Sequence, residues 1–189
     1  MVRVKPQETR SRISEVSGGL QIVIPAKRNI FIILFLAAWL VGWAAGEVMV
    51  PTSFFKKNMP LGGQIFTIAW LVGWTVGGLF AIYIWLWTLV GKEVVLIDGI
   101  TLAIRRDILG YGRFKEYELS HLRNLRASPA SFNMWNFSGA LQFWGLGGGI
   151  IAFDYGARTY RFGASIDEAE GDHIIQHITQ RYDIRSGQM

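Results

Sequence analysis

Ala38-Trp39-Leu40-Val41-Gly42-Trp43 recurs 31 residues later as Ala69-Trp70-Leu71-Val72-Gly73-Trp74. Each copy runs on to a second glycine at helical spacing, which sets Gly42 with Gly46 and Gly73 with Gly77. Both copies lie in long apolar runs: residues 30–46 carry no charge, nor do residues 61–91. About 20 residues rising 1.5 Å each cover the ~30 Å hydrocarbon core of a bilayer. The spacing predicts a transmembrane hairpin over residues 27–91, with helices at about 29–50 and 64–90 and the first closed by Pro51.

Antiparallel pairing at equal depth sets Gly42 near Gly73, Trp39 near Trp74 and Trp43 near Trp70. Glycines permit close backbone approach, so Trp39, Gly42, Trp43, Gly46, Trp70, Gly73, Trp74 and Gly77 form either an internal packing seam or a seam for a partner helix. Tryptophan faces can also stack on a pigment or quinone, but neither helix holds a histidine to ligate a metal centre. No cofactor is expected.

The flanks orient the hairpin. Six Lys and Arg precede the first helix, two lie in the connecting loop and eleven follow the second helix. The positive-inside tendency puts both termini in the cytoplasm. The formal charge is +5, but the excess base borders apolar runs, which favours the lipid bilayer over nucleic acid as its partner. The chain contains no cysteine, which excludes disulfides, thiolate metal sites and cysteine nucleophiles. With no early apolar core in residues 1–28, the first helix reads as an uncleaved signal anchor.

Residues 1–12 are polar and basic and read as a flexible tail. In residues 13–26, Leu20, Ile22 and Ile24 alternate behind Gly18-Gly19, which predicts a short β-hairpin before the membrane. Strand patterns resume after the second helix at residues 94–97, 100–109 and 113–119, and residues 121–126 can add another. After a long loop, residues 150–155 and 158–162 form a hairpin about Gly156-Ala157. A closing helix starts with Ser165 and Glu168 as a capping box; Ile166, Ala169, Ile174, Ile178 and Tyr182 share its apolar face. Gly171 weakens this helix by roughly 1 kcal/mol relative to alanine.

About seven strands and a C-terminal helix, split by the hairpin, give a membrane α+β fold. A two-helix transmembrane hairpin is inserted in a PH-like antiparallel β-barrel. The β-domain comprises residues 13–26 and 92–185. The tract Ile104-Arg105-Arg106 through Gly110-Tyr111-Gly112, Phe153-Asp154-Tyr155-Gly156, and Phe162-Gly163 before an acidic helix start resemble uncharacterised small bacterial inner-membrane proteins with two transmembrane helices and a PH-like domain. The resemblance spans residues 13–182. It implies location in the bacterial inner membrane and brings no catalytic residues.

Phe132, Trp135, Phe137, Phe143 and Trp144 load the long loop with rings, for docking on the bilayer or a partner, or for folding back over the core. Arg105, Arg106, Arg113 and Lys115 surround one hairpin, as lipid contacts or a charged, solvated edge, and Arg123 and Arg126 can extend them. His173 and His177 have the spacing of helical metal ligands but lack a His-Glu-x-x-His pattern, so no metal is expected. Gly145 and Gly147–149 precede a strand, where no helix N-terminus helps cradle a phosphate. No nucleophile–base pair stands out, and the expected role is a non-catalytic accessory or assembly subunit of a larger membrane complex. The alternative is a scaffold or sensor on anionic lipid.

Overall fold

The computed structural model describes residues 10–16, 18–54, 60–128, 147–182 and 184. The chain is α+β and divides into two compact units, one of residues 28–89 and one assembled from residues 1–27 and 90–189.

The first unit is a pair of long apolar helices, α1 (Ile30–Phe54) and α2 (Leu61–Val90). Each is long and apolar enough to cross a membrane, and few residues of its most apolar stretch are buried. Asn29 caps α1, its Oδ1 accepting from the N–H groups of Phe31 at 3.0 Å and Ile32 at 3.3 Å. The helix does not stop at Pro51, as expected, but runs through it to Phe54. Proline removes one N–H donor, and, one residue on, the Thr52 hydroxyl contacts the carbonyls of Val48 and Met49 at 3.0 and 2.9 Å. α2 begins three residues earlier than expected, because the Pro60 carbonyl already accepts from Gly63 and Gln64.

The second unit holds β1 (Arg12–Val16), β2 (Gly19–Pro25), β3 (Lys92–Ile97), β4 (Thr101–Asp107) and β5 (Phe114–Glu118), which form a five-stranded antiparallel sheet in chain order. β2 pairs with β3 from Leu20↔Ile97 to Pro25↔Lys92, so the sheet spans the point where the helical pair leaves the chain. The Ala26 N–H donates to the Gly91 carbonyl at 2.9 Å, closing the neck of the insertion. Gly18 turns the first hairpin at φ 86°, a conformation that favours glycine.

β6 (Leu122–Ala127), β7 (Ile151–Tyr155) and β8 (Arg158–Phe162) form a second, three-stranded antiparallel sheet. The expected closed barrel is therefore absent: among the described residues no ladder joins β5 to β6 or β8 to β1. A single 3₁₀ turn, Leu119–His121, separates β5 from β6, and the Leu119 N–H is used by the Ile100 carbonyl. The sheets share a core instead. Leu20, Ile22, Ile24, Val95, Ile97 and Leu102 belong to one apolar cluster with Leu122, Leu125, Ile151, Phe153 and Phe162. Tyr117 joins them edge-on to Phe153 and Tyr155, with ring centroids 5.1 and 5.3 Å apart.

α3 (Glu168–Arg181) adds Ile174 and Ile178 to this core. Its N-cap is Asp167, which accepts from the Glu170 N–H at 2.8 Å, and not Ser165. Gly171 is buried, and a Cβ there would stand 3.2 Å from Ile150, so the missing side chain lets the helix sit close. Three polar ties hold α3 to the first sheet. Glu170 accepts from Ser11 N and Oγ at 2.5 and 2.6 Å, Arg181 pairs with Glu15, and Tyr182 donates to the Ile97 carbonyl at 3.0 Å.

Candidate functional site

The repeated hexapeptide meets itself, through its rings. The Trp43 Nε1–H donates to the Trp74 carbonyl at 3.2 Å, and the Trp43 indole lies on Gly78, where an added Cβ would overlap Cε2, Nε1 and Cζ2. Trp74 lies against Gly46, with a would-be Cβ 3.5 Å from its ring. Trp74 also stands 6.0 Å from Trp39 across the pair and stacks on Trp70 of its own helix at 5.0 Å. Trp85 donates to the Ile33 carbonyl at 3.0 Å farther along.

The expected close approach of Gly42 to Gly73 is not made. Gly42, Gly73 and Gly77 face open space, with no atom within 4 Å of a Cβ built on any of them. Indole rings inserted between the helices take the room that glycine-to-glycine contact would need. The glycine that receives Trp43 is Gly78, one residue beyond the spacing the repeat suggested. Only the adjacent pair Gly77-Gly78 hinted at it.

A polar tie missed in the sequence lies beside this seam. The Thr75 hydroxyl donates to Glu47 Oε1 at 2.9 Å, joining the two helices. It also contacts the Leu71 carbonyl one turn back, at 2.9 Å. A carboxylate in so apolar a helix is costly without a donor, and Thr75 supplies one. Trp74 Nε1 is buried and has no hydrogen-bond acceptor among the described residues.

The four basic residues of the β4–β5 hairpin do not form one patch. Arg105 and Arg106 are consecutive in a strand and point to opposite faces. Arg105 stacks over the Phe114 ring at 4.6 Å and stands 3.7 Å from Asp107. Asp107 is buried and is also 3.2 Å from Lys92. Arg106 pairs with buried Glu93 at 3.4 Å and donates to the Gly147 carbonyl at 3.3 Å. Glu93 also accepts from the N–H groups of Gly163 at 2.7 Å and Ala164 at 3.3 Å, so one carboxylate binds β3, β4 and the end of β8. Arg113 and Lys115 are exposed and, unlike Arg105 and Arg106, form no ion pair among the described residues. The turn preceding them is centred on Leu109 and Gly110, both at positive φ, with Ile108 and Tyr111 exchanging backbone bonds of 3.0 and 2.9 Å.

A second polar centre lies on the three-stranded sheet. Asp154 accepts from Thr159 Oγ1 at 2.6 Å, Asn124 Nδ2 at 2.9 Å and Arg126 at 3.0 and 3.4 Å. These bonds, led by that of Thr159, hold its carboxyl pKa down to about 2. Elsewhere Asp98 is also held below the usual carboxylate range, by the N–H groups of Thr101 and Ile100, and burial raises the Tyr117 phenol.

His173 and His177 stack edge-on at 4.6 Å in a groove shared with Ser11, Ile13, Glu15 and Arg181. Among the described residues no three His, Asp or Glu side chains stand close enough to share a metal ion. Phe132, Trp135, Phe137, Phe143 and Trp144 lie outside the described residues.

These features define an α+β protein with two helices of membrane-crossing length, a tryptophan seam between them and an antiparallel β-unit built from both flanks. Comparison with family models, curated proteins and solved structures gives no match.

Proposed function

We propose that the chain is a non-catalytic accessory or assembly subunit of a larger bacterial membrane complex. In this reading the helical pair spans the inner membrane and packs on partner helices. The β-unit, PH-like in its order of strands and closing helix, lies with both termini on the cytoplasmic face, as the six-to-two bias of basic residues around the first helix favours.

The observation that carries the proposal is the open glycine surface. Gly42, Gly73 and Gly77 are uncovered, although the tryptophan seam already supplies the contacts within the pair. In lipid, helices associate through small residues that admit a neighbouring backbone. A glycine face not used internally suits a helix from another chain.

The test is stoichiometric copurification of the full chain in mild detergent after crosslinking in membranes. Gly42→Leu and Gly77→Leu should abolish capture while leaving the chain folded, because both positions face open space. A wild-type chain that migrates alone, or capture indifferent to both leucines, would count against assembly.

Exposed Arg113 and Lys115 beside Phe114 favour a second reading, a scaffold on anionic lipid. Native mass spectrometry of the purified chain should then show retained anionic lipid that is depleted by Arg113→Ala with Lys115→Ala.

A further inference from the structure

The three-stranded sheet carries a basic pocket of about 540 Å³, lined by Arg123, Arg126 and Arg158 with His121, Asn124 and Asp154. Its construction rests on a β-bulge. Arg123 pairs with Asp154 and Arg126 with Ala152, so two residues of β6, Asn124 and Leu125, oppose Phe153 alone. Without the extra residue, Arg123 and Arg126 would point to opposite faces of the sheet. With it they share one face, while Leu125 stays in the core. Asn124 takes the left-handed conformation, φ 52°, that the bulge demands.

The charges are unequally used. Asp154 is saturated by Thr159, Asn124 and Arg126, and Arg126 is held further by the Asn124 carbonyl at 2.9 Å. His121 stands 3.0 Å from Glu118. Arg123 and Arg158 are exposed and have no acceptor among the described residues. Three guanidinium groups against one carboxylate leave two positive charges, and the two unpaired groups border the same hollow.

We infer that this pocket binds a phosphate monoester dianion, with Arg123 and Arg158 as its ligands and Arg126 as a third charge oriented by Asp154. A guanidinium offers parallel N–H donors that match two phosphate oxygens. A dianion balances the surplus charge, and 540 Å³ leaves room for a small group esterified to the phosphate. That group can be soluble or a lipid headgroup. The pocket is separate from the glycine surface on which assembly rests.

The experiment follows phenylglyoxal labelling of single arginines by mass spectrometry on the full chain. In neutral detergent at constant ionic strength, inorganic phosphate should slow labelling of Arg123 and Arg158 at least threefold and leave exposed Arg113 unchanged. Arg158→Ala should raise the phosphate needed to half-protect Arg123 about tenfold. A parallel arm uses nanodiscs of phosphatidylcholine with added phosphatidic acid or with phosphatidylserine at equal charge. Protection by phosphatidic acid alone assigns the site to a lipid phosphomonoester, and protection by inorganic phosphate assigns it to a soluble one. Protection by neither, equal protection of Arg113, or an Arg158→Ala chain protected like wild type overturns the inference.

Discussion

Gly77 and Gly78 are adjacent and chemically identical, yet the same added methyl group should act in opposite directions on them. At Gly78 the Cβ would lie well under 3.0 Å from Cε2, Nε1 and Cζ2 of Trp43. The indole must withdraw by about 1.5–2 Å to regain the ~3.5–4.0 Å optimum between carbons. Overpacking of this kind costs about 1–3 kcal/mol. Withdrawal also strains the 3.2 Å bond from Trp43 to the Trp74 carbonyl, and a hydrogen bond between membrane helices averages about 0.6 kcal/mol. The helix propensity of alanine returns about 1 kcal/mol, leaving Gly78→Ala destabilised by roughly 0.5–2.5 kcal/mol. At Gly77 nothing lies within 4 Å, so only the favourable propensity term applies. Reversible unfolding in mixed micelles, followed by tryptophan emission, measures both. Trp43→Ala should remove most of the Gly78→Ala penalty in a double-mutant cycle. Equal effects at the two glycines, or a Gly78→Ala penalty that survives without Trp43, would refute the packing argument.

Thr75→Val leaves Glu47 without its donor and should destabilise the helical pair by about 1 kcal/mol in the same assay, whereas Thr75→Ser should be near neutral. Glu93→Ala strips a buried carboxylate from Arg106, Gly163 and Ala164 and should cost the β-unit about 3–5 kcal/mol in chemical denaturation. Asp154 has a depressed folded-state pKa, so its stabilising contribution is complete above the unfolded-state value near 3.9 and is lost as the pH falls through about 2. An NMR titration should show the Asp154 carboxylate still ionised at pH 3, and Asp154→Asn should flatten the stability profile between pH 4 and pH 2.

Features that depend on neighbours in the chain were readable from it. Leu20, Ile22 and Ile24 alternate, and all three are buried in β2. The charge-free runs became helices because no other local pattern suits 17 or more apolar residues. What escaped depends on distant partners. Nothing near Arg106 announces a carboxylate 13 residues back and a carbonyl 41 residues ahead. The bulge at Asn124 has no marker beyond a residue tolerant of positive φ, so Arg123 and Arg126 could not be assigned to one face. Ser165 and Asp167 both suit a helix start, and the contact of Asp167 with the Glu170 N–H decides between them. The repeat located the seam, but which glycine an indole covers depends on how far apart the rings hold the helices. Barrel closure depended on a ladder between β5 and β6 that one short turn forestalls.

The neck formed by Ala26 and Gly91 sets an order of events during synthesis. β2 leaves the ribosome with its buried face complete, but its neighbour β3 lies beyond the 64 residues from 27 to 90. Bringing the ends of an unstructured segment that long together costs about 4 kcal/mol in chain entropy alone. An antiparallel helical pair shortens that search, because Trp85 and Ile33 draw its two open ends towards each other. Contacts within the helical pair thus shorten the wait before the two halves of the sheet can zip. Until then Leu20, Ile22 and Ile24 form an exposed sticky strand, the segment a chaperone would have to shield.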